Sequence, residues 1–408
     1  MNFSESSENH EQLTKLRLYC CFALTLLWLS FPIFSIIPIV IYITIMPTSK
    51  SELNYYFFLL ALVPGLINYT KLPAEDLLIY NRTYRELYSV RLMDFYTVIS
   101  ADYFFYFISA AISKIFDGRE QYFVLFWTTI SYYVYFLTLH LCARSMAKYD
   151  KRILIGTVVY SLFIGLSFTL SGHLIRQFAA ASFLVYAIVL FSLQNRNFVT
   201  ILAISIFCHF SAMIFIFGFI FNKISKRTLI VLLISLMTAS LLIGQFNILE
   251  LIAPALGRVG TSFFMQEIAE KSAIYTNEMA GEVRMRELIS IVFFTCLGIY
   301  LYRHSAERII KKFMIFYFLL FLILLFTRNN EMLLLRYSYY VDFFAGFLIL
   351  FAFIEYWDRF YIKIIFLILI TTAPIRFFGV LSGHLYDYID NSPTIVLNNV
   401  FDFLSYHN

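Results

Sequence analysis

The sequence predicts an all-α, polytopic integral membrane protein: one helical bundle of roughly ten to twelve transmembrane helices. Three observations predict it. Hydrophobic residues make up 61% of the 408 residues and charged residues only 14%, against about a quarter charged in soluble domains. Mean hydropathy is +0.76. Apolar runs of about twenty residues, the length that crosses a bilayer as a helix, recur along the whole sequence. No polar stretch is long enough for a separate soluble domain, so residues 1–408 read as a single membrane domain.

The elements follow in order. The N-terminal MNFSESSENHEQLTK is polar and acidic, unlike a signal peptide, so the first apolar segment is expected to stay as an anchor. Tyr19 to Met46 is apolar but interrupted by Pro32 and Pro38, as one long kinked helix or as a tight pair. Leu53 to Tyr69 is a second span. A polar segment, LPAEDLLIYNRTYRELYSVRLMD, follows with Asp76, Tyr80, Arg82 and Arg85. Asp102 to Ile112 is apolar, short and begins with a charge, which suits a re-entrant or interfacial helix packed on protein. Gln121 to Leu141 and Ile153 to Leu170 are expected spans, and Leu174 to Leu193 is another.

Phe198 to Phe221 is long enough to span, yet Cys208, His209 and Ser211 lie at its middle and both flanking turns are basic, with Arg196 on one side and Lys223, Lys226 and Arg227 on the other. If both turns are cytoplasmic, the segment must dip in and return as two half-helices meeting near His209. Thr228 to Phe246 spans again. Asn247 to Glu287 is a polar stretch of about forty residues, a length associated with functional or disordered loops. Leu288 to Tyr302, Phe313 to Phe326, Tyr337 to Ile354 and Tyr361 to Ile375 complete the bundle.

Orientation follows the Lys and Arg distribution. The connections carrying Arg144, Lys148, Lys151 and Arg152, then Lys223, Lys226 and Arg227, then Arg303, Arg308, Lys311 and Lys312 read as cytoplasmic. The turn at His173 and Arg176, the long loop and the RNNEMLLLRY connection then lie together outside. The net charge of +5 says little alone, since its distribution over the loops sets topology, and no nucleic-acid partner is expected.

The candidate chemistry gathers on that outer side. SGHLIRQFAAASFLVYAIVL, Ser171 to Leu190, opens with His173, Arg176 and Gln177, which share one face if the stretch is a continuous helix. Arg is costly in lipid, so Arg176 is either a snorkelling helix end or an anion site facing a cavity. Arg284, Arg286, Arg328 and Arg336 fall on the same side, and guanidinium groups match phosphate oxygens with paired hydrogen bonds. Unrelated arginines, each paired with a nearby Glu, are the competing reading. His209 is central in an apolar run, as a buried hydrogen-bonding residue or a base. Glu282 is a base candidate or a partner for Arg284 and Arg286. Asp76 and Tyr80, four apart, orient a sugar hydroxyl or open a helix.

Several chemistries are excluded or unsupported. The five cysteines, Cys20, Cys21, Cys142, Cys208 and Cys296, show neither metal nor disulfide spacing. There is no Gly-rich phosphate loop, no HExxH pair and no GxSxG elbow. No cofactor and no metal are expected.

The sequence resembles the EpsG-like and Wzy-type O-antigen polymerases of bacterial polysaccharide assembly. The matching features are D-x-x-x-Y at Asp76 and Tyr80, H-x-x-R-Q-x-x-A from His173 to Ala180, A-x-x-x-x-x-H-x-S-A from Ala203 to Ala212, and R-Y-x-x-Y from Arg336 to Tyr340. The resemblance implies a fold like the integral-membrane C-type glycosyltransferases, in the bacterial inner membrane with a periplasmic active site. It implies a transferase acting on undecaprenyl-pyrophosphate-linked oligosaccharides within the lipid bilayer, with a chain-length regulator as a further partner. In that setting Arg176, Arg336 and Arg328, with His173, Gln177, Arg284, Arg286, Tyr337 and Tyr80, are expected to bind substrate. His209, Glu282 and Asp76 are the candidates for the base. A lipid-linked oligosaccharide flippase and an O-antigen ligase are the alternatives.

Overall fold

The computed structural model describes residues 3–99, 101–225, 228, 231–232, 234–236, 238, 285–328, 331–383, 387–389 and 393–406. The expected span Thr228 to Phe246 lies mostly outside these residues, and so do Glu282, Arg284 and nearly all of the long polar loop. Every named element is helical, as the composition requires of a chain that must satisfy its backbone within a membrane.

The first apolar segment is a tight pair. Helix α1 (Phe3–Ser30) and helix α2 (Pro32–Ile45) are separated at Phe31, with Pro32 opening α2, where its missing N–H costs nothing. Arg17, before the break, pairs with Glu52, and Tyr42, after it, donates to Glu52 at 2.7 Å, so the chain doubles back. Pro38 sits inside α2. Helix α3 (Lys50–Tyr69) starts with a capping box between Ser49 and Glu52. It packs on α6 (Glu120–Arg144), and a Cβ at Gly65 would overlap the Thr129 hydroxyl. That closeness lets the two helices touch along their length.

Between them, α4 (Glu75–Ser89) is amphipathic: Leu77, Tyr80, Tyr84 and Leu87 recur at three- and four-residue spacing and are buried. Helix α5 (Tyr103–Ile115) is too short to span, as expected, and packs on α4, α6 and α10. The run Ile153 to Leu170 is not one span. Helix α7 (Lys151–Tyr160) passes into a π-turn over Ser161–Gly165, breaks at Leu166, and resumes as α8 (Phe168–His173). Helix α9 (Ile175–Ser192) follows after Leu174.

The segment from Phe198 to Phe221 is re-entrant. Helix α10 (Phe198–Cys208) stops at His209, whose backbone is extended; a 3-10 turn over Phe210–Phe215 and α11 (Ile216–Phe221) return. The rings of Phe198 and Phe219 stack with centroids 5.2 Å apart, so the segment comes back to where it entered. The remaining helices are α12 (Met285–His304), α13 (Arg308–Thr327), α14 (Glu331–Tyr356), α15 (Phe360–Gly383) and the short α16 (Val400–Ser405). Among the described residues, α6, α9, α13, α14 and α15 are long and apolar enough to cross a membrane. Shorter apolar helices, α2, α5, α10 and the hairpin's return arm among them, fill the bundle between them.

The two ends of the bundle differ. At one end the Ala147 N–H donates to Glu307 at 3.2 Å, Lys312 donates to the Ser192 carbonyl at 3.2 Å, and Asn222 donates to the Lys312 carbonyl at 3.4 Å. These contacts bring the basic connections together. At the other end lie the starts of α4, α9 and α14. There residues 387–389 form an antiparallel bridge to the turn after α3: Leu72 N–H donates to Asp387 and Ile389 N–H to Thr70.

Candidate functional site

The site end is built from five elements over a buried cluster that includes Leu77, Tyr80, Phe105, Trp127 and Ile175. Arg176, in the first turn of α9, donates from Nη1 to Asp102 Oδ2 at 2.7 Å. Its guanidinium lies 4.8 Å from the Tyr80 ring centroid and 5.7 Å from that of Tyr106. Two electron-rich faces and one carboxylate thus hold a cation that hydrocarbon would reject.

Asp102 is the residue that sequence reasoning missed as part of the site. In the sequence it is only the charge that begins a short apolar helix. In the structure it precedes α5 with φ of 56°, a left-handed conformation that Asp tolerates better than most residues. Its other carboxylate oxygen accepts the backbone N–H of Phe210 at 3.2 Å. One buried carboxylate therefore ties α9 to the tip of the re-entrant hairpin. A non-glycine residue in that conformation stores backbone strain that its ion pair must offset; nothing in the local sequence signals it.

His173, Arg176 and Gln177 do not share one uninterrupted helix. His173 ends α8, Leu174 has ψ of 45°, and α9 begins at Ile175. The stretch is bent at the point where the spacing argument assumed continuity. Nor does Arg176 simply face an open cavity, since its partner Asp102 is buried.

Gln177 is buried, and its side-chain amide donates to the backbone carbonyl of Arg336 on α14. Arg336 Nη2 in turn lies 3.7 Å from Asp76 Oδ2. Asp76 and Tyr80 share one face of α4, so Tyr80 under Arg176 and Asp76 opposite Arg336 join the two arginines into one cluster. Burial pushes the Tyr80 phenol up, so it stays protonated and remains a donor.

His209 stands at the hairpin tip. Its Nδ1 accepts the Ser211 N–H at 3.1 Å and caps the 3-10 turn. The Ser211 hydroxyl lies 2.9 Å from the same nitrogen and 2.7 Å from the Tyr340 hydroxyl. Accepting an N–H at Nδ1 leaves the proton on Nε2. Tyr337 stacks on Tyr340 with centroids 6.0 Å apart. Arg328 is the C-terminal cap of α13, one connection before the helix that carries Arg336. Arg286 lies in the first turn of α12, and its side chain is outside the described residues, as are Glu282 and Arg284.

The two ion pairs differ in grip. Asp102 and Arg176 are close, with side chains 6% and 20% exposed. Asp76 and Arg336 are farther apart, 32% and 22% exposed. An anion arriving from solvent competes with a loose, wet pair more easily than with a tight, dry one. Among the described residues no group of three or more His, Cys, Asp and Glu could hold a metal ion.

No curated protein and no solved structure is significantly similar to the chain. Residues 54–390, from within α3 to beyond α15 and so including every arm of the cluster, match the model of the EpsG family. The chain is therefore a multi-pass membrane protein that belongs to the EpsG family and is implicated in exopolysaccharide biosynthesis.

Proposed function

We propose that the protein is a membrane glycosyltransferase that polymerises lipid-linked oligosaccharide repeats on the periplasmic side, with an undecaprenyl-pyrophosphate-linked glycan as donor. The observation that carries this reading is the convergence of Arg176 and Arg336 through Gln177, Tyr80 and Asp76. The acceptor hydroxyl oxygen attacks the anomeric carbon, the carbon–oxygen bond to the pyrophosphate breaks, and the pyrophosphate leaves with the electron pair. Its charge grows as the bond breaks, so donors already aimed at it lower the barrier.

The geometry divides the labour. Arg176 is a fixed donor, clamped by Asp102, Tyr80 and Tyr106. Arg336 is the arginine that changes partner: as the pyrophosphate takes its guanidinium, the Asp76 carboxylate is released to take the proton of the attacking hydroxyl. His209 shapes the hairpin tip instead of serving as the base, because its Nδ1 is already engaged by Ser211.

The test is the ladder of surface polysaccharide from a deletion strain carrying wild-type protein or Arg336→Ala at equal membrane levels. A single-repeat band for the deletion and for Arg336→Ala is expected. Complete absence of glycan would point to a flippase or a ligase, and an unchanged ladder would overturn the polymerase reading.

A further inference from the structure

Beneath the arginine cluster lies a second polar space that the steps above do not use. A cavity of about 390 Å³ sits between the π-turn and α8 on one side and α12, α14 and α15 on the other. Asp342, Arg376, Ser167, Ser290, Ser338 and Tyr339 line it. Asp342 follows Arg336 by six residues of α14, about 9 Å deeper along the helix axis. Arg376 reaches the cavity from α15, most of whose side chains are exposed. Ionisable residues within membrane-length helices are costly and mark sites. The wall itself is a π-turn, a distortion frequent where helices serve a function.

The lining selects its ligand. Among the described residues one carboxylate and one guanidinium balance, and the other polar side chains of the lining carry hydroxyls. A phosphate would meet the charge of Asp342. A neutral polyol meets an acceptor, a donor fork and hydroxyls able to do either, with the Tyr339 ring as an apolar face. The volume falls within the range of small-molecule sites, about 300–1,000 Å³. The space also adjoins the arginine cluster: Ser167, Leu170, Tyr339 and Asp342 line a narrow cleft shared with Gln177. Gln177 holds the Arg336 carbonyl with its amide, while its own side-chain oxygen is buried with no hydrogen-bond partner.

We propose that this cavity is a saccharide subsite. It holds an uncharged ring of the lipid-linked repeat through Asp342, Arg376 and the surrounding hydroxyls, with Gln177 at its junction with the pyrophosphate site. The proposal rests on the glycosyltransferase reading and adds where the glycan lies.

The experiment uses the purified full-length protein and two probes. One is the free oligosaccharide released by mild acid from lipid-linked repeats of the deletion strain; the other is geranylgeranyl pyrophosphate, which carries no sugar. Wild-type protein should bind both. Asp342→Asn, and separately Ser290→Phe, which fills the cavity and keeps Asp342, should weaken oligosaccharide binding by roughly tenfold or more while leaving the pyrophosphate probe within about twofold, as expected for a remote site. Arg336→Ala should do the reverse. Unchanged oligosaccharide affinity in both cavity variants, or no oligosaccharide binding by the wild type, overturns the subsite. Loss of the pyrophosphate arm alone overturns the donor reading and leaves the saccharide arm to decide the subsite by itself.

Discussion

The side-chain amide of Gln177 donates to the backbone carbonyl of Arg336, joining the start of α9 to the start of α14 across 159 positions. Both arginines of the cluster depend on that joint: Arg176 is the residue before Gln177, and the carbonyl belongs to Arg336 itself. Gln177→Leu keeps the volume and removes the donor; the Arg336 carbonyl, inside α14, keeps its helix bond, so the cost is that of one hydrogen bond, about 0.5–1.5 kcal/mol. The expected outcome is a lower melting temperature of the detergent-purified protein together with shorter glycan chains. A variant with full-length polymer would show that α14 finds its place without the joint.

Arg176 and Asp102 must be tested as a pair. Arg176→Ala strips the partner from a buried carboxylate, and breaking such a pair costs about 3–5 kcal/mol, so loss of protein is the expected result for Ala alone. Arg176→Met combined with Asp102→Asn removes both charges at similar volume and should restore membrane levels without restoring polymer. Arg176→Lys keeps the charge but loses the planar fork, and should accumulate normally with turnover reduced on the order of tenfold or more. Full polymer from the neutral double variant would reduce the pair to a structural element.

His209→Asn offers an amide oxygen in place of Nδ1, so the cap on Ser211 survives while the imidazole is gone. We expect most of the polymer to remain. His209→Leu removes the cap, worth about 1 kcal/mol, and should lower thermal stability. If His209→Asn is as inactive as a deletion at normal protein level, the imidazole carries chemistry after all.

The hairpin itself is open to a cross-linking test. A straight helix from Phe198 to Phe219 would separate those residues by about 30 Å, whereas their rings stack at 5.2 Å. Paired cysteines at the two positions should be bridged by a short bifunctional thiol reagent of about 10 Å reach, far under the straight-helix separation, in a background lacking the native cysteines. Failure to cross-link in folded protein would mean that the segment runs through the membrane.

Orientation is tested by labelling. In a background without the exposed Cys296, a cysteine at Ser272 should react with an impermeant thiol reagent in intact cells, and one at Ser225 should not. The opposite pattern would turn the arginine cluster to the cytoplasm.

Legibility from sequence followed the range of the interaction concerned. Apolar runs report a local property, and the helices at Glu120–Arg144, Ile175–Ser192, Arg308–Thr327, Glu331–Tyr356 and Phe360–Gly383 lie where the runs predict them. The break at His209 was also visible, because three polar residues interrupt an apolar run between two basic turns. A turn between the runs ending at Leu170 and beginning at Leu174 was visible too; its place, at Leu174 after the short helix Phe168–His173, is set by packing, since a Cβ at Gly172 would press against Lys71 and Asn68. Arg176, Arg336, Asp76 and Tyr80 were each nominated from the sequence. Asp102 was not, because its meaning comes from a partner 74 positions away and a hairpin tip farther on. Asp342 sits inside an expected span and Arg376 just past the end of another, and only the cavity between them gives them a role.

The bridge between Lys71 and Tyr388 bears on how the protein is made. The turn that launches α4, and with it Asp76 and Tyr80, is hydrogen-bonded to residues synthesised more than 300 positions later. At about 5–20 residues per second, roughly a quarter of a minute to a minute separates the two halves of that pairing. During that interval α1 to α6 can already be in the membrane while the turn before α4 lacks its bridge. On the glycosyltransferase reading, a donor meeting the nascent chain then finds neither Arg336 nor a fixed Asp76, so activity waits on completed biogenesis.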